Sequence, residues 1–148
     1  MFLANASPIV LLVEDNADDE ALTLRGLRQH LPSARVSVAR DGNEAIGCLD
    51  GVLNIGGQSV QATPNFILLD LKLPFASGFE VLKAIRTCAA TQTVPVVVFS
   101  SSNEPKDVTQ SYALGANTYV QKPTAFDEYM PTLRDVARYW FEIAQLPN

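Results

Sequence analysis

Short apolar runs alternate along this chain with stretches whose apolar residues recur every three or four positions. The runs are Ile9–Val13, Arg35–Ala39, Phe66–Leu69, Val94–Phe99 and Thr118–Gln121. They are too short for helices, and most are unbroken enough for strands covered on both faces. Between and after them fall five helical patterns. The first puts Leu22, Leu24, Leu27 and Leu31 on one side, and the second Ala45, Ile46 and Leu49. The third carries Phe79, Val81, Leu82 and Ile85, and a short fourth carries Val108, Tyr112 and Leu114. The alternation predicts βαβ units, and therefore an α/β fold doubly wound around a five-stranded parallel sheet.

Helix starts carry capping chemistry. Asn16 precedes Ala17-Asp18-Asp19, Asp41 stands three before Glu44, Ser77 three before Glu80, and Thr124 three before Asp127. Residues 51–65, with Gly56-Gly57 and Pro64, read as a disordered or frayed loop. The last helix is expected over 125–146. Its stripe is Phe126, Met130, Leu133, Val136, Ala137, Trp140 and Ala144 at 3.6-residue spacing. Such a wide stripe serves either as core or as a partner surface.

Three strand ends carry charge. The first closes on Glu14-Asp15, the third on Asp70, and the fifth on Lys122-Pro123. In an open α/β sheet the carboxyl ends of the strands share one crevice. Carboxylates gathered there repel by several kcal/mol at ~4 Å and an effective dielectric near 20. A hard divalent ion with oxygen ligands offsets that repulsion. A carboxylate beside such an ion is a competent nucleophile toward phosphorus. Lys122 would hold the phosphoryl oxygens, and Pro123 predicts a fixed turn, with a cis bond as one form of it. Ser100, which closes the fourth strand, offers a hydroxyl to the same oxygens, and Tyr119 precedes Lys122 by three.

Composition narrows the alternatives. The 148 residues fit one domain, 47% are hydrophobic, and 11 basic against 16 acidic side chains give a net charge of −5. No basic run is present to grip nucleic acid, and no apolar stretch is long enough to cross a bilayer. With no basic leader before the first strand, a cytoplasmic location is expected. Cys48 and Cys88 have no metal-ligand spacing and read as free thiols. The turn after the first strand is Glu-Asp-Asn-Ala-Asp-Asp, which repels phosphate where nucleotide-binding folds place glycines. With one histidine, His30, neither a Ser-His-Asp hydrolase nor a zinc site is credible.

Glu14-Asp15, Asp70, Ser100 thirty residues on, Lys122 fifty-two on with Pro123, and Tyr119 three before that lysine together resemble the receiver domain of two-component response regulators, the CheY-like family. Asp70-Leu-Lys-Leu-Pro74 with Gly78 resembles the family's loop after the third strand. The resemblance runs from Ile9 to Leu146. It implies a flavodoxin-like sheet of strand order 2-1-3-4-5, one receiver domain over 1–148, and an N-terminal tail over 1–7. It also implies phosphorylation of Asp70 by a sensor histidine kinase. Mg²⁺ would be held by Asp15, Asp70 and the main-chain carbonyl of Lys72, with Glu14 acting through water. Ser100 and Lys122 would move onto the phosphoryl oxygens, and Tyr119 and Pro123 would take part in the switch. The segment from Ser111 to Pro123 and the tail Tyr139-Trp-Phe-Glu-Ile-Ala-Gln-Leu-Pro are similar to stand-alone phytochrome-associated response regulators. A bacteriophytochrome kinase is the partner this implies, with a homodimer formed through the helix 4–strand 5–helix 5 face.

Competing classes are an aspartate-nucleophile, Mg²⁺-dependent phosphatase, a chemotaxis-type receiver and a pseudo-receiver that binds without phosphorylation. Lys72 stands where such phosphatases want a second acid. The expectation is therefore a protein that catalyses only its own phosphorylation and dephosphorylation. After Leu146 only Pro147 and Asn148 remain, so no output domain is expected. Lys72 also predicts slower loss of the phosphoryl group than a water-orienting amide would give.

Overall fold

The computed structural model describes residues 7–147, so the tail expected over 1–7 lies, except for Ser7, outside them. Seven strands and five α-helices are present among the described residues: β1 Ile9–Val13, α1 Ala17–His30, β2 Arg35–Ala39, α2 Gly42–Gly47, β3 Val52–Ile55, β4 Gln58–Gln61, β5 Phe66–Leu69, α3 Gly78–Thr87, β6 Val96–Ser100, α4 Pro105–Ala113, β7 Thr118–Gln121 and α5 Phe126–Arg138. A 3₁₀ turn, Cys48–Asp50, follows α2, and a π-helical turn, Tyr139–Ile143, follows α5.

Five parallel strands form the main sheet in the order β2-β1-β5-β6-β7. With the β3–β4 hairpin set aside, this is the predicted order 2-1-3-4-5. Successive side chains of a strand face opposite ways, and both faces are covered. Leu11, Val13, Ile67, Leu69, Val96 and Val98 pack with Leu49, Val81, Leu82 and Ile85 from the α2–α3 side. Val10, Leu12, Phe66, Leu68, Val97 and Phe99 pack with Leu27, Tyr129 and Leu133 from α1 and α5. Burial on both faces is why these strands read as continuous apolar runs.

Three expectations are corrected. The segment 51–65 is not a loop: Val52–Ile55 and Gln58–Gln61 pair antiparallel, Val52 opposite Gln61 and Ile55 opposite Gln58. Gly56 and Gly57, at φ 60° and 80°, make the two-residue turn whose positive φ values suit the twist of a hairpin. The C-terminal segment is not one helix over 125–146. The α-helix ends at Arg138 and a π turn finishes it at Ile143. Within α5, Phe126 stands 64% exposed while Tyr129 is buried, so the core stripe begins nearly a turn later than its spacing implied. Lastly, Asn16, Asp41 and Ser77 cap α1, α2 and α3 through the amides of Asp19, Glu44 and Glu80, but Thr124 caps nothing: α5 begins after Ala125 with no side-chain cap.

At the amino end of the sheet, Arg86 of α3 donates to the carbonyls of Gln92 (3.2 Å), Val94 (2.7 Å) and Gly115 (2.9 Å) and to Asn117 Oδ1 (2.8 Å). It ties the end of α3 to the starts of β6 and β7. No described helix is long and apolar enough to cross a membrane.

Candidate functional site

Parallel register sets the site. Val13 lies beside Leu69, and Leu69 beside Val98. The residues that leave β1 and β5, Glu14 and Asp70, therefore emerge side by side. The Asp70 amide donates to the carbonyl of Val13 (3.0 Å), and the Lys122 amide to that of Ser100 (2.7 Å), which fixes the backbone on both sides. Gly78 holds the Asp70 loop down: a Cβ there would stand 2.5 Å from the Asp70 carbonyl oxygen and from Leu71 Cα.

Lys122 Nζ donates to Glu14 Oε1 (2.5 Å), Asp19 Oδ2 (3.0 Å) and Asp70 Oδ2 (3.1 Å). Glu14 is 2%, Lys122 6% and Asp70 8% exposed, so this is a desolvated cluster and not a surface ion pair. The second Asp70 oxygen accepts from the Leu71 amide (2.7 Å), and the Lys72 amide lies 3.5 Å from it. Lys72 itself is exposed, as is Asp15. Burial, with the Asp70 charge beside it, pushes the Glu14 carboxyl up to about 7 against the pull of Lys122. Burial works against the Lys122 ammonium, but the Asp70 charge and the Glu14 hydrogen bond outweigh it and hold the group above its ordinary range.

Glu14, Asp15 and Asp70 each turn a carboxylate oxygen into a common space, all within 4.8 Å of one another. These hard oxygen donors and the surplus negative charge suit a divalent cation of the magnesium, calcium or manganese kind. The Lys122 ammonium cannot neutralise four acids alone.

Ser100, fully buried, accepts at its hydroxyl oxygen from the Ser102 amide (3.3 Å). The Tyr119 hydroxyl donates to the Ser102 carbonyl (2.8 Å), and the Ser102 hydroxyl to Asp107 Oδ2 (2.6 Å). Ser100 and Tyr119 thus meet on one short loop. Pro123 is half-buried and its peptide bond is trans, so the turn after Lys122 needs no cis form. Sequence reasoning missed Asp19, which it assigned only to the first turn of α1. Asn16 Oδ1 accepts from the Asp19 amide (3.0 Å), and this cap sets the first turn of α1, from which the Asp19 carboxylate reaches Lys122. An acid at the third helical position after an Asn cap was the available signal.

Acids and a lysine thus gather at the carboxyl ends of a 2-1-3-4-5 sheet. Residues 10–134 match the response regulator receiver domain model, and the chain belongs to that family. Phosphorylation of an aspartate is the family's general mechanism. Response regulator Rcp1 of Synechocystis is 32% identical over 144 residues, covering 97% of this chain and 96% of that one. The probable methanogenesis regulatory protein FilR2 of Methanothrix harundinacea is 34% identical over 132 residues, 89% of this chain and 83% of that one. The crystal structure of the phosphorylated cyanobacterial phytochrome response regulator RcpA superposes with a TM-score of 0.87 at 33% identity, covering 97% of this chain and all of that one. The Mn²⁺-bound form of Rcp1 gives 0.84 at 32% identity over 95% of this chain and 99% of that one. The chain is thus homologous to phytochrome-associated response regulators.

Proposed function

We propose that Asp70 is the phosphoacceptor and that its phosphorylation, by a histidine kinase of the phytochrome type, switches a protein-interaction face. An Asp70 carboxylate oxygen attacks the phosphorus of a phosphohistidine. The O–P bond forms, the N–P bond breaks, and the imidazole leaves with its electron pair. Asp15, Asp70 and the main-chain carbonyl of Lys72 would hold Mg²⁺, with Glu14 acting through water. When bound, the ion supplies charge neutralisation to the acids and to the phosphoryl oxygens.

Lys122 already sits on Asp70 and follows the negative charge outward onto the phosphoryl group, and the Ser100 hydroxyl donates to another of its oxygens. Movement of Ser100 pulls on the Ser102 amide, and the carbonyl of Ser102 holds the Tyr119 hydroxyl. Tyr119 and Pro123 carry the change to the face made by α4, β7 and α5. A second copy of this chain covers that face. The β7–α5 groove of about 540 Å³, lined by Val120, Val136, Tyr139 and Trp140, supports this reading. The work is done in the cytoplasm, and the chemistry ends with the protein's own phosphorylation and hydrolysis.

The observation that carries the proposal is the buried Asp70 carboxylate, 3.1 Å from Lys122 Nζ and grouped with Glu14 and Asp15. The test is incubation with acetyl phosphate and Mg²⁺. A stoichiometric, base-labile phosphoryl mass gain, absent from Asp70→Asn and absent without the ion, is expected. Multiple turnover of a phosphoester, or a gain that survives in Asp70→Asn, overturns it.

A further inference from the structure

Phe75 is a large apolar side chain, 80% exposed, at φ 66°. That region favours glycine and asparagine and strains an aromatic residue. Its neighbours are fixed: the Pro74 carbonyl accepts from the Gly42 amide (3.2 Å), and Ala76 is buried against Gly42. The loop is therefore pinned on both sides of Phe75 and holds the ring out into water. Nothing in the fold gains from this. The ring buries little, and its backbone conformation costs energy that an asparagine would not.

Phe126 is exposed in the same way. It opens α5, four residues after Lys122, and is 64% exposed although the helix buries Tyr129 and Leu133 just below it. Among the described residues these two are the most exposed of the large hydrophobic side chains, and both follow strands whose carboxyl ends carry the site, Phe75 in the segment after β5 and Asp70, Phe126 at the start of α5 after β7 and Lys122.

On the basis of the phosphoacceptor reading above, we infer that Phe75 and Phe126 are the apolar anchors that seat the phosphohistidine-bearing protein on this chain. Asp70 is buried at the bottom of the crevice, so a donor side chain must enter from this rim. The exposed acids Asp15, Asp18, Asp127 and Glu128 also line it and repel an anionic phosphoryl donor at a distance. Two aromatic rings supply attraction that does not depend on charge, in the manner of interface hot spots. The matching donor surface carries exposed apolar residues beside its histidine to meet the two rings, and lysine and arginine around them to suit the acids. A small donor such as acetyl phosphate needs neither ring.

The experiment uses the full chain, with Phe75→Asn and Phe126→Ser separately and together, and two donors. One is acetyl phosphate with Mg²⁺. The other is an autophosphorylated bacteriophytochrome histidine kinase, used at varied receiver concentration. Ile143→Ser, an exposed apolar residue in the turn after α5, serves as control. Transfer from the kinase is expected to fall about 10-fold in kcat/KM for each variant, chiefly through KM, as loss of a buried aromatic contact implies. Incorporation from acetyl phosphate should stay within twofold of the parent, and the control should leave both donors unaffected. Phe75→Asn should also unfold at a higher temperature than the parent. Unchanged kinase transfer in the double variant, or an equal fall with both donors, overturns the inference. If acetyl phosphate fails on the parent chain, the phosphoacceptor reading itself is at fault.

Discussion

Replacing Lys122 with methionine removes the one ammonium that touches Glu14, Asp19 and Asp70 while keeping most of its apolar stem. At ~3 Å and an effective dielectric near 20, each contact is a gross attraction of about 5 kcal/mol. Most of this is cancelled by the cost of drying the four groups. The net loss is that of breaking a buried pair and leaving its carboxylates uncompensated, about 3–5 kcal/mol. For a chain of this length each kcal/mol moves Tm by about 2–4 °C, so a fall of roughly 6–20 °C is expected in EDTA. The loss should be smaller at pH 5 than at pH 8, because Glu14, pushed up to about 7, is uncharged at the lower pH and does not miss its cation. Mg²⁺ should narrow the gap. A more anionic site binds a dication tighter, and tighter binding stabilises more at a given concentration, about 2.7 kcal/mol at a hundred times Kd. Thermal unfolding with and without Mg²⁺ at both pH values reads all of this. A fall below about 2 °C in EDTA at pH 8, or a gap that Mg²⁺ leaves unchanged, refutes the picture of an under-neutralised acidic cluster.

Glu14→Gln should move stability the other way. The folded carboxyl is raised to about 7 from 4.5, so its stabilising contribution is complete below 4.5 and is lost as pH rises through 7. In EDTA the parent should therefore fall behind the variant over that window by an amount on the order of 3 kcal/mol, measured by urea unfolding at several pH values; parallel curves contradict it. Gly78→Ala forces a Cβ to 2.5 Å from backbone that cannot give way, and a loss of about 3 kcal/mol or more, with weaker stabilisation by Mg²⁺, is expected in thermal unfolding. Lys72→Asn should shorten the lifetime of the phosphorylated form, followed by loss of the phosphoryl mass gain with time; an unchanged or longer lifetime removes Lys72 from that role.

The sheet was legible because strands buried on both faces cannot alternate in polarity, and their apolar runs stand out against everything around them. Glu14, Asp70 and Lys122 were legible for a related reason: a charge that ends such a run has few places to go. The hairpin was not. Gln58-Ser-Val-Gln61 is almost wholly polar, and only its pairing with Val52–Ile55 makes it a strand, a contact that composition does not record. The start of the α5 stripe was misplaced because 3.6-residue spacing fits Phe126 as well as Tyr129, and the sheet's end, which decides between them, is a tertiary fact. Asp19 escaped because an acid in the first turn already has a sufficient local explanation.

Arg86 gives the molecule a fulcrum. With its guanidinium knotted into the carbonyls that begin β6 and β7, the amino end of the sheet is the fixed point of this part of the chain. The helix between those strands is pinned there at its tail, by Gly115, and meets the Ser102 loop at its head, through Asp107. A rod held so swings rather than slides. A small tug at the acidic end moves the head of the rod most and dies away toward the pinned tail, so whatever rests on the outer side near that head feels it first.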